Sequence, residues 1–362
     1  MKVLSVVGAR PQFVKAAAVS RVLRRRHEET LVHTGQHYDD ALSGVFFREL
    51  GLPSPEIHLG VGSGSHAEQT AAMLVALERA MLETQPDWVL VYGDTNSTLA
   101  GTLAAAKLCL PVAHVEAGLR SHDRGMPEEQ NRIVADHLAE LLLCPTVTAI
   151  GHLEREGLGS RARLVGDVMV DILQLSLPRA TWREWLAQEL GPERAGRIGA
   201  WGYGLLTIHR AANTDDPRRL AGLLQGVGAV DLPVVFPAHP RVQKAIASAE
   251  LTLPANVLAC GPAPYFAMLG LQRDARVVLT DSGGVQKEAY VLGVPCVTLR
   301  GETEWPETLQ GGWNVLADRA ETIAAAALRP RPGGAPGTPF GDGDAAAQVV
   351  AAMEARAGGG WR

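Results

Sequence analysis

The sequence predicts an α/β protein with two doubly wound domains, each a parallel β-sheet covered by helices on both faces. Two observations support this prediction. Short apolar runs alternate with helix-favouring segments along the first half of the chain, and the alternation begins again after about residue 200. Such alternation is typical of repeated βαβ units, in which successive strands run parallel.

Four strand–helix pairs are predicted in the first half. In each pair a short apolar run forms the strand, and a longer segment with helix-favouring residues follows it. The pairs are MKVLSVV with PQFVKAAAVSRVLRR, ETLVHTG with ALSGVFFREL, DWVLVYGD with TLAGTLAAAKL, and VAHVEAG with EEQNRIVADHLAELL.

The second half repeats the pattern, and its Pro- and Gly-rich stretch 329–344 predicts a surface loop before a last helix, AAAQVVAAMEAR. We place the first domain at residues 1–166, joined by the C-terminal helix 345–357, and the second domain at residues 167–344. The predicted segments are GYGLLTIH with RRLAGLLQGV, LPVVFPAHP, NVLAC, ARVVLTDSGG with VQKEAYVLG, and PCVTLR.

The composition excludes several classes of protein. The 34 basic and 39 acidic residues give a net charge of −5 without a long basic run, which argues against nucleic acid or membrane lipid as the partner. The chain has no stretch of 18 apolar residues, and its N-terminal apolar run is too short for a secretory signal. We therefore expect a cytoplasmic protein.

The cysteines and glycines argue against a metal or a common cofactor. No pair of cysteines has metal-ligand spacing, and all four lie in apolar surroundings, so we expect reduced thiols in the core: Cys109, Cys144, Cys260 and Cys296. No predicted strand is followed by GxGxxG, and no Walker A motif is present. A nicotinamide cofactor and ATP hydrolysis are disfavoured.

Charged residues follow the predicted strands of the first half, where ligands gather in open α/β sheets. Arg10 and Lys15 follow the first strand, in GARPQFVKA, and suit a diphosphate. Asp94 and Glu116 end two further strands, where clustered carboxylates supply an acid and a base. Glu128 or Glu129, in MPEEQNR, adds a third carboxylate, although acids are also common at the start of a helix.

The second half places histidines, arginines and small residues at its strand ends. TIHRAANTDD carries His209 and Arg210, and FPAHPR carries His239 and Arg241. In VLTDSGGVQKEA the small residues Ser282, Gly283 and Gly284 begin a helix, whose free N–H groups suit a phosphate, and Glu288 follows one turn later, within reach of ribose hydroxyls. Taken alone, the same stretch also fits a simple helix cap.

Ten motifs in order resemble the non-hydrolysing UDP-N-acetylglucosamine 2-epimerases over essentially the full length. The resemblance implies two Rossmann-like domains whose parallel sheets face a central cleft, an arrangement called GT-B. It also implies a homodimer, no dissociable cofactor and a role in cell-surface polysaccharide supply. The motifs are GARPQ, HTGQH, VYGDTNSTLAG, HVEAGLR, MPEEQNR, GDVMVD, TIHR, PAHPR, LTDSGGVQKEA and TEWPE.

The resemblance also implies roles for single residues. It makes Asp94, Glu116 and Glu128 the catalytic carboxylates and His209 the histidine near the diphosphate. The nucleotide-binding positions are Arg10, Ser282 and Glu288, with Gly283 and Gly284 as backbone donors. Lys15, Arg210 and His239 are assigned to the same substrate site from their places at strand ends.

The implied reaction is the interconversion of UDP-N-acetylglucosamine and UDP-N-acetylmannosamine by elimination of UDP and its re-addition. Alternatives are a 2-epimerase of UDP-2,3-diacetamido-2,3-dideoxy-glucuronate, a glycosyltransferase of the same fold, a weak nucleotide-sugar binder and a hydrolysing variant. This chain departs from the usual family pattern at Ala212 and Gln12, where many members carry glutamate, and at Trp305, where several carry arginine. It also reads QHYDD and Glu68-Gln69-Thr70 where members activated by their own substrate have QHREM and an arginine before QT, so substrate activation at a second site is not expected.

Overall fold

The computed structural model describes residues 1–36 and 49–357. The chain divides into two compact units, one formed by Met1–Leu175 with Pro339–Arg362 and the other by Ser176–Thr338. Each unit contains one parallel sheet. The predicted α/β class with two doubly wound, Rossmann-like domains is therefore confirmed.

The first unit contains a sheet of seven described strands in the order β3-β2-β1-β4-β5-β6-β7. The strands are β1 (Lys2–Val7), β2 (Glu28–His33), β3 (Ile57–His58), β4 (Trp88–Tyr92), β5 (Val112–Val115), β6 (Leu141–Cys144) and β7 (Ala162–Leu164). The α-helices described around it are α1 (Arg10–Leu23), α2 (His66–Thr84), α3 (Asn96–Lys107), α4 (Pro127–Leu138), α5 (Val147–Arg155), α6 (Val168–Ser176) and, from the end of the chain, α15 (Ala345–Ala357).

The second unit contains a six-stranded sheet in the order β10-β9-β8-β11-β12-β13. The strands are β8 (Gly204–Thr207), β9 (Val234–Pro237), β10 (Val257–Cys260), β11 (Val277–Thr280), β12 (Cys296–Thr298) and β13 (Asn314–Leu316). The α-helices are α7 (Arg183–Leu190), α8 (Pro192–Gly196), α9 (Ala211–Thr214), α10 (Pro217–Gly228), α11 (Pro240–Ser248), α12 (Tyr265–Asp274), α13 (Gly283–Val291) and α14 (Ala320–Ala327).

Side chains along the strands of the second unit alternate between the two faces of the sheet and so divide the hydrophobic core into two layers. Leu206 and Leu279 pack into one hydrophobic cluster, with α10 and α14. Their chain neighbours Leu205 and Val278 pack into another, with α7 and α12. Because successive side chains of a strand point to opposite faces, a sheet covered on both faces needs such continuous apolar strands.

The predicted helix EEQNRIVADHLAELL is too long. Helix α4 ends at Leu138, and the apolar run Leu141–Cys144 forms β6 between β5 and β7. All four residues of β6 are buried. A short apolar run is compatible with helix or strand, and here pairing inside the sheet decides the outcome.

The first unit extends further along the chain than the predicted limit of residue 166. Asp171 of α6 accepts hydrogen bonds from the backbone N–H groups of Ala345 (3.2 Å) and Ala346 (2.9 Å), at the start of α15. The backbone N–H of Asp167 donates to the carbonyl oxygen of Phe340 (2.8 Å). These bonds tie α6 to the C-terminal segment, so the chain enters the second unit at Ser176.

Several other expectations have mixed outcomes. Most of the predicted helix ALSGVFFREL, and His37 of HTGQH, lie outside the described residues. Cys144, Cys260 and Cys296 are buried as predicted, but Cys109 is exposed because it lies in the turn after α3.

Among the described residues, no helix is long and apolar enough to cross a membrane, and no group of three His, Cys, Asp or Glu side chains is arranged to hold a metal ion.

Candidate active site

Each sheet has one point where its strand order reverses. In the first unit this point lies between β1 and β4, and in the second between β8 and β11. The crevice at the carboxyl ends of such strands is the usual ligand site of open α/β sheets. Arg10 and Asp94 follow the first pair of strands, and His209 and Ser282 follow the second pair. The predicted site residues thus lie at both reversal points.

Gln12 holds the ends of β1 and β4 together. Its side-chain oxygen accepts hydrogen bonds from the backbone N–H groups of Gly8 (2.8 Å) and Ala9 (3.1 Å). Its side-chain nitrogen donates to the carbonyl oxygen of Tyr92 (2.8 Å) and to the hydroxyl of Thr98 (3.1 Å). Only an amide both accepts and donates in this way, whereas an ionised glutamate only accepts. This explains why glutamine is suited to the position in this chain.

Lys15 and Glu116 form a buried ion pair. The Lys15 Nζ atom lies 2.5 Å from Oε1 of Glu116, and less than a tenth of either side chain is exposed. Glu116 has a backbone φ of +70°, a left-handed conformation that is costly for a residue with a side chain. Gly93 lies against the pair, since a Cβ atom there would be 3.0 Å from Nζ of Lys15. A strained backbone and a buried ion pair are typical of functional sites, so Lys15 and Glu116 remain candidates.

Asp94 is bound by an arginine that the sequence analysis did not identify. Arg132 of α4 donates from Nη2 to Oδ2 of Asp94 (2.7 Å), and its side chain is buried. Its Nε and Nη1 atoms have no hydrogen-bond partner among the described residues. Asn131 donates to the carbonyl oxygen of Asp94 (2.9 Å). The start of α4 is thus bonded to the loop that carries Asp94.

The neighbouring residues Glu128 and Glu129 have different environments in the structure. Glu129 is buried and accepts hydrogen bonds from the backbone N–H groups of Ser121 (2.9 Å) and His122 (3.0 Å). Glu128 is exposed and makes no ion pair with the described residues. It precedes Arg132 by four residues and therefore shares its helix face. Glu129 anchors a loop, so Glu128 stays the candidate catalytic residue.

His209 in the second unit is oriented by Asp281. The Nδ1 atom of His209 lies 3.0 Å from Oδ1 of Asp281. The Asp281 carboxylate also accepts hydrogen bonds from the backbone N–H groups of His209 and Arg210 and from the side-chain amide of Asn213. Burial alone would raise the pKa of Asp281, but these donors, His209 foremost, lower it below its ordinary value. An ionised Asp281 fixes the Nδ1–H tautomer of His209 and leaves Nε2 for a substrate.

His239 lies beside His209 and caps α11. Its Nδ1 atom accepts from the backbone N–H of Arg241 (3.2 Å), which leaves Nε2 as the ring donor. The centroids of the His209 and His239 rings are 6.3 Å apart. The Nη2 atom of Arg241 lies 2.6 Å from Oδ1 of Asp215. The two histidines therefore lie close together, whereas Arg241 pairs with an aspartate.

The predicted phosphate site begins α13. Ser282 is the N-cap residue, and its side chain makes no capping hydrogen bond. Trp305 packs against the first residue of the helix, since a Cβ atom on Gly283 would lie 2.9 Å from the indole Nε1. The ammonium of Lys287 lies 3.6 Å from the centre of the Trp305 ring, in a cation–π contact. The helix end therefore combines backbone N–H groups with an indole and an ammonium.

Glu288 lies on the buried side of α13. Its Oε2 atom accepts from the side-chain amide of Gln272 (2.6 Å), and only 6% of the residue is exposed. Burial and then the Glu288 carboxylate raise the pKa of Tyr265 well above its ordinary value. Neutral Gln272 and Tyr265 thus surround the carboxylate expected to bind the ribose.

Arg210 is held by Glu304, which the sequence analysis did not assign to the site. Glu304 accepts from Nη1 of Arg300 (2.7 Å) and lies 3.3 Å from Nη1 of Arg210. Burial alone would raise the pKa of Glu304, but the two guanidinium groups lower it to about 2. Ala212 lacks a carboxylate and is exposed, so Glu304 provides the anion for Arg210 in this chain.

Other contributors are visible only in three dimensions. Burial lowers the pKa of Arg10, which is the first residue of α1, whereas the predicted helix begins at Pro11. Gln12, His114, Arg132, Asp136, Asp281 and Glu304 were not predicted as site residues, although most lie inside or beside the quoted motifs. Each also has a partner that is distant in sequence, and Arg132 lies 38 positions from Asp94. No local spacing identifies such pairs.

Comparison with known proteins agrees with the motifs. A family model described as UDP-N-acetylglucosamine 2-epimerase matches residues 21–354. The UDP-N-acetylglucosamine 2-epimerase homolog of Methanococcus maripaludis is 47% identical over 87% of this chain and 88% of its own. The UDP-2,3-diacetamido-2,3-dideoxy-D-glucuronate 2-epimerase of Pseudomonas aeruginosa is 44% identical over 91% of this chain and 92% of its own.

A solved structure shows the same relationship. The crystal structure of Methanocaldococcus jannaschii UDP-GlcNAc 2-epimerase in complex with UDP-GlcNAc and UDP superposes with a TM-score of 0.88 at 38% identity, covering 98% of this chain and 100% of that one. The family model spans most of the chain, and the relatives exceed 30% identity over most of their length. The chain belongs to the UDP-N-acetylglucosamine 2-epimerase family.

Proposed function

We propose that this protein interconverts UDP-N-acetylglucosamine and UDP-N-acetylmannosamine by inversion at C2, without a dissociable cofactor. The observation that carries the proposal is the set of carboxylates after β4, after β5 and at the start of α4. Glu116 pairs with Lys15, Asp94 pairs with Arg132, and Glu128 is exposed. Inversion needs acid–base groups on both faces of C2, whereas a glycosyltransferase needs at most one base.

The proposed reaction begins with loss of UDP. The C2–H bond has no adjacent carbonyl, so a base alone does not remove its proton. If the C1–O bond to UDP breaks while a carboxylate takes the C2 proton, the products are bound UDP and a 2-acetamidoglucal with a C1=C2 double bond. Delivery of a proton to the other face of C2, with return of the UDP oxygen to C1, completes the inversion.

The second unit is proposed to hold UDP while it is detached from the sugar. The N–H groups of Gly283 and Gly284 and the Ser282 hydroxyl suit the diphosphate. In the first unit, Arg10 and Lys15 are the cations proposed to bind a diphosphate. His209, oriented by Asp281, is proposed to donate a proton or hydrogen bond to the leaving diphosphate. Arg210 and His239 are proposed to bind the same group, and Glu288 the ribose.

A second candidate substrate is UDP-2,3-diacetamido-2,3-dideoxy-glucuronate. It is favoured by the 44% identity to the Pseudomonas aeruginosa relative that carries this substrate in its name. The two substrates differ at C3 and C5, whereas the proposed chemistry at C1 and C2 is the same. The choice therefore concerns specificity and leaves the mechanism unchanged.

Proton NMR in deuterated water tests the proposal. Each UDP-sugar is incubated with the protein and no acceptor, and the C2 configuration, deuterium at C2 and free UDP are followed. We expect inversion with deuterium entering C2 of UDP-N-acetylglucosamine. Unchanged C2 in both sugars would refute the epimerase proposal, and accumulation of free UDP and free sugar would identify a hydrolysing enzyme.

Substitutions test the assigned groups. Asp94→Asn, Glu116→Gln and His209→Asn should each lower kcat by about 10²-fold or more while circular dichroism stays native. The matched control is Glu83→Gln, a change of an exposed carboxylate at the end of α2. Near-normal turnover of Asp94→Asn and Glu116→Gln would contradict the carboxylate mechanism.

We further propose that the protein acts as a homodimer in the cytoplasm and supplies cell-surface polysaccharide synthesis, as the family resemblance implies. Light scattering at micromolar concentration should give twice the mass of one chain. A monomer with full activity would refute the dimer as the active form.

A further inference from the structure

His114 is a buried histidine of β5 with both ring nitrogens bonded to oxygen atoms. Nδ1 lies 2.7 Å from Oδ1 of Asp136, and Nε2 lies 2.6 Å from the carbonyl oxygen of Gly93. No part of its side chain is exposed. Rotating the ring by half a turn would place carbon atoms at these short distances, so both contacts belong to nitrogen.

Both partners of His114 accept hydrogen bonds. A backbone carbonyl oxygen never donates, so Nε2 carries a proton. The other oxygen of Asp136 accepts from Nη1 of Arg120 (2.7 Å) and from the backbone N–H of Gly118 (3.1 Å). Burial would raise the pKa of Asp136, but His114 and Arg120 lower it below its ordinary value. Independently of His114, the Arg120 guanidinium and the Gly118 N–H both donate to the Asp136 carboxylate and favour its ionised form, so Nδ1 of His114 is a donor as well.

The charges around His114 balance. Asp136 of α4 binds Arg120, which lies between β5 and α4, and Nη2 of Arg120 pairs with Glu156 (2.7 Å). With His114 as an imidazolium, the cluster contains two cations and two anions. Burial raises the pKa of the nearby Cys144 thiol, which stays neutral. On the side of Gly93, Lys15 and Glu116 neutralise each other. A buried imidazolium is thus compensated by ionised partners.

The carbonyl that His114 binds belongs to the residue before Asp94. Gly93 has a φ of +62°, and its backbone N–H donates to the carbonyl oxygen of Val115 (3.0 Å). Its Cα faces the Lys15–Glu116 pair. Fixing the Gly93 carbonyl therefore fixes the peptide that leads to Asp94, next to the carboxylate of Glu116.

We propose that His114 is a positioning residue for the epimerase reaction, whose two ring N–H groups tie the Gly93 carbonyl to Asp136 and so align Asp94 with Glu116. This role rests on the proposed function, whereas the imidazolium itself does not. The His114 side chain is fully buried, so it acts through Gly93 and not by contact with a substrate. Its loss should lower kcat and leave KM nearly unchanged, because misplacing a reacting group by about 1 Å costs on the order of 10²-fold in rate.

The protonation state is tested on the wild-type protein. With ¹⁵N-labelled histidine, His114 should show two protonated ring nitrogens at pH 7, identified by the loss of its signals in His114→Gln. Asp136→Asn keeps the shape of the side chain and removes its charge, so His114 should become neutral in that variant. A neutral His114 ring in the wild type at pH 7 would overturn the proposal, whatever the enzyme's activity.

The positioning role is tested by kinetics with UDP-N-acetylglucosamine. His114→Gln should lower kcat by about 10²-fold with KM within threefold, and Asp136→Asn should lower kcat less. The matched control is His137→Gln, which changes an exposed histidine next to Asp136 in α4 and should leave both constants unchanged. A folded His114→Gln enzyme with normal kcat, or a defect confined to KM, would refute positioning. If the wild type shows no epimerisation, the proposed function fails while the NMR result still stands.

Discussion

Glu304→Gln removes the anion that holds two arginines of the second unit. The Glu304 carboxylate accepts from Arg300 at 2.7 and 3.0 Å and lies 3.3 Å from Arg210, and 5% of its side chain is exposed. Glutamine keeps the size of the side chain and removes its charge. Both guanidinium groups then lose a buried counter-charge.

The pKa of Glu304 gives the size of the effect. Its ordinary value is 4.5, and the two arginines lower it to about 2 in the folded protein. At 1.36 kcal/mol per pKa unit, the ionised carboxylate contributes about 3 kcal/mol to the free energy of unfolding at pH 7. Because the folded pKa is depressed, this contribution is complete above pH 4.5 and is lost as the pH falls toward 2. By pH 3.5 it should have decreased by about 1 kcal/mol.

Urea unfolding of the wild type and the variant at pH 7, 5 and 3.5, followed by tryptophan fluorescence and circular dichroism, measures this difference. The matched control is Glu302→Gln, because Glu302 is mostly exposed and lies 4.0 Å from Arg300. Its effect should stay within about 0.5 kcal/mol. A loss below about 1 kcal/mol for Glu304→Gln at pH 7, or a difference that does not shrink at pH 3.5, would refute the reasoning.

Two further substitutions test the supports of the site. Gln12→Glu removes the donor to the carbonyl of Tyr92 and should cost about 1–3 kcal/mol of unfolding free energy, measured in urea; a loss no larger than that of exposed Gln130→Glu would contradict this. Asp281→Asn should lower kcat by about 10²-fold or more, because the amide removes the charge and replaces one acceptor oxygen with a donor, so His209 is no longer held as the Nδ1–H tautomer. Unchanged kcat in the folded variant would show that Asp281 does not orient His209.

Much of the fold is readable from local patterns. Apolar runs such as VLVY and VVLT are too short for helices and are followed by polar residues. The strands, and the positions of Asp94 and Ser282 at the carboxyl ends of strands in their respective sheets, were therefore predictable. The residues at which helices and strands begin and end were harder to predict. The first two residues of the run LLLC were assigned to the end of a helix because a short apolar run is compatible with either element, and pairing with β5 and β7 makes the run a strand.

The sequence by itself determined the order of strands and helices, the family and the polar residues at the strand ends, because each depends on neighbouring residues or on ordered motifs. The tertiary structure decided which of these side chains meet. It paired Lys15 with Glu116, distinguished exposed Glu128 from buried Glu129, and placed Glu304 on Arg210. Such contacts join residues far apart in the chain, and their energies depend on burial and on charges that no local spacing records.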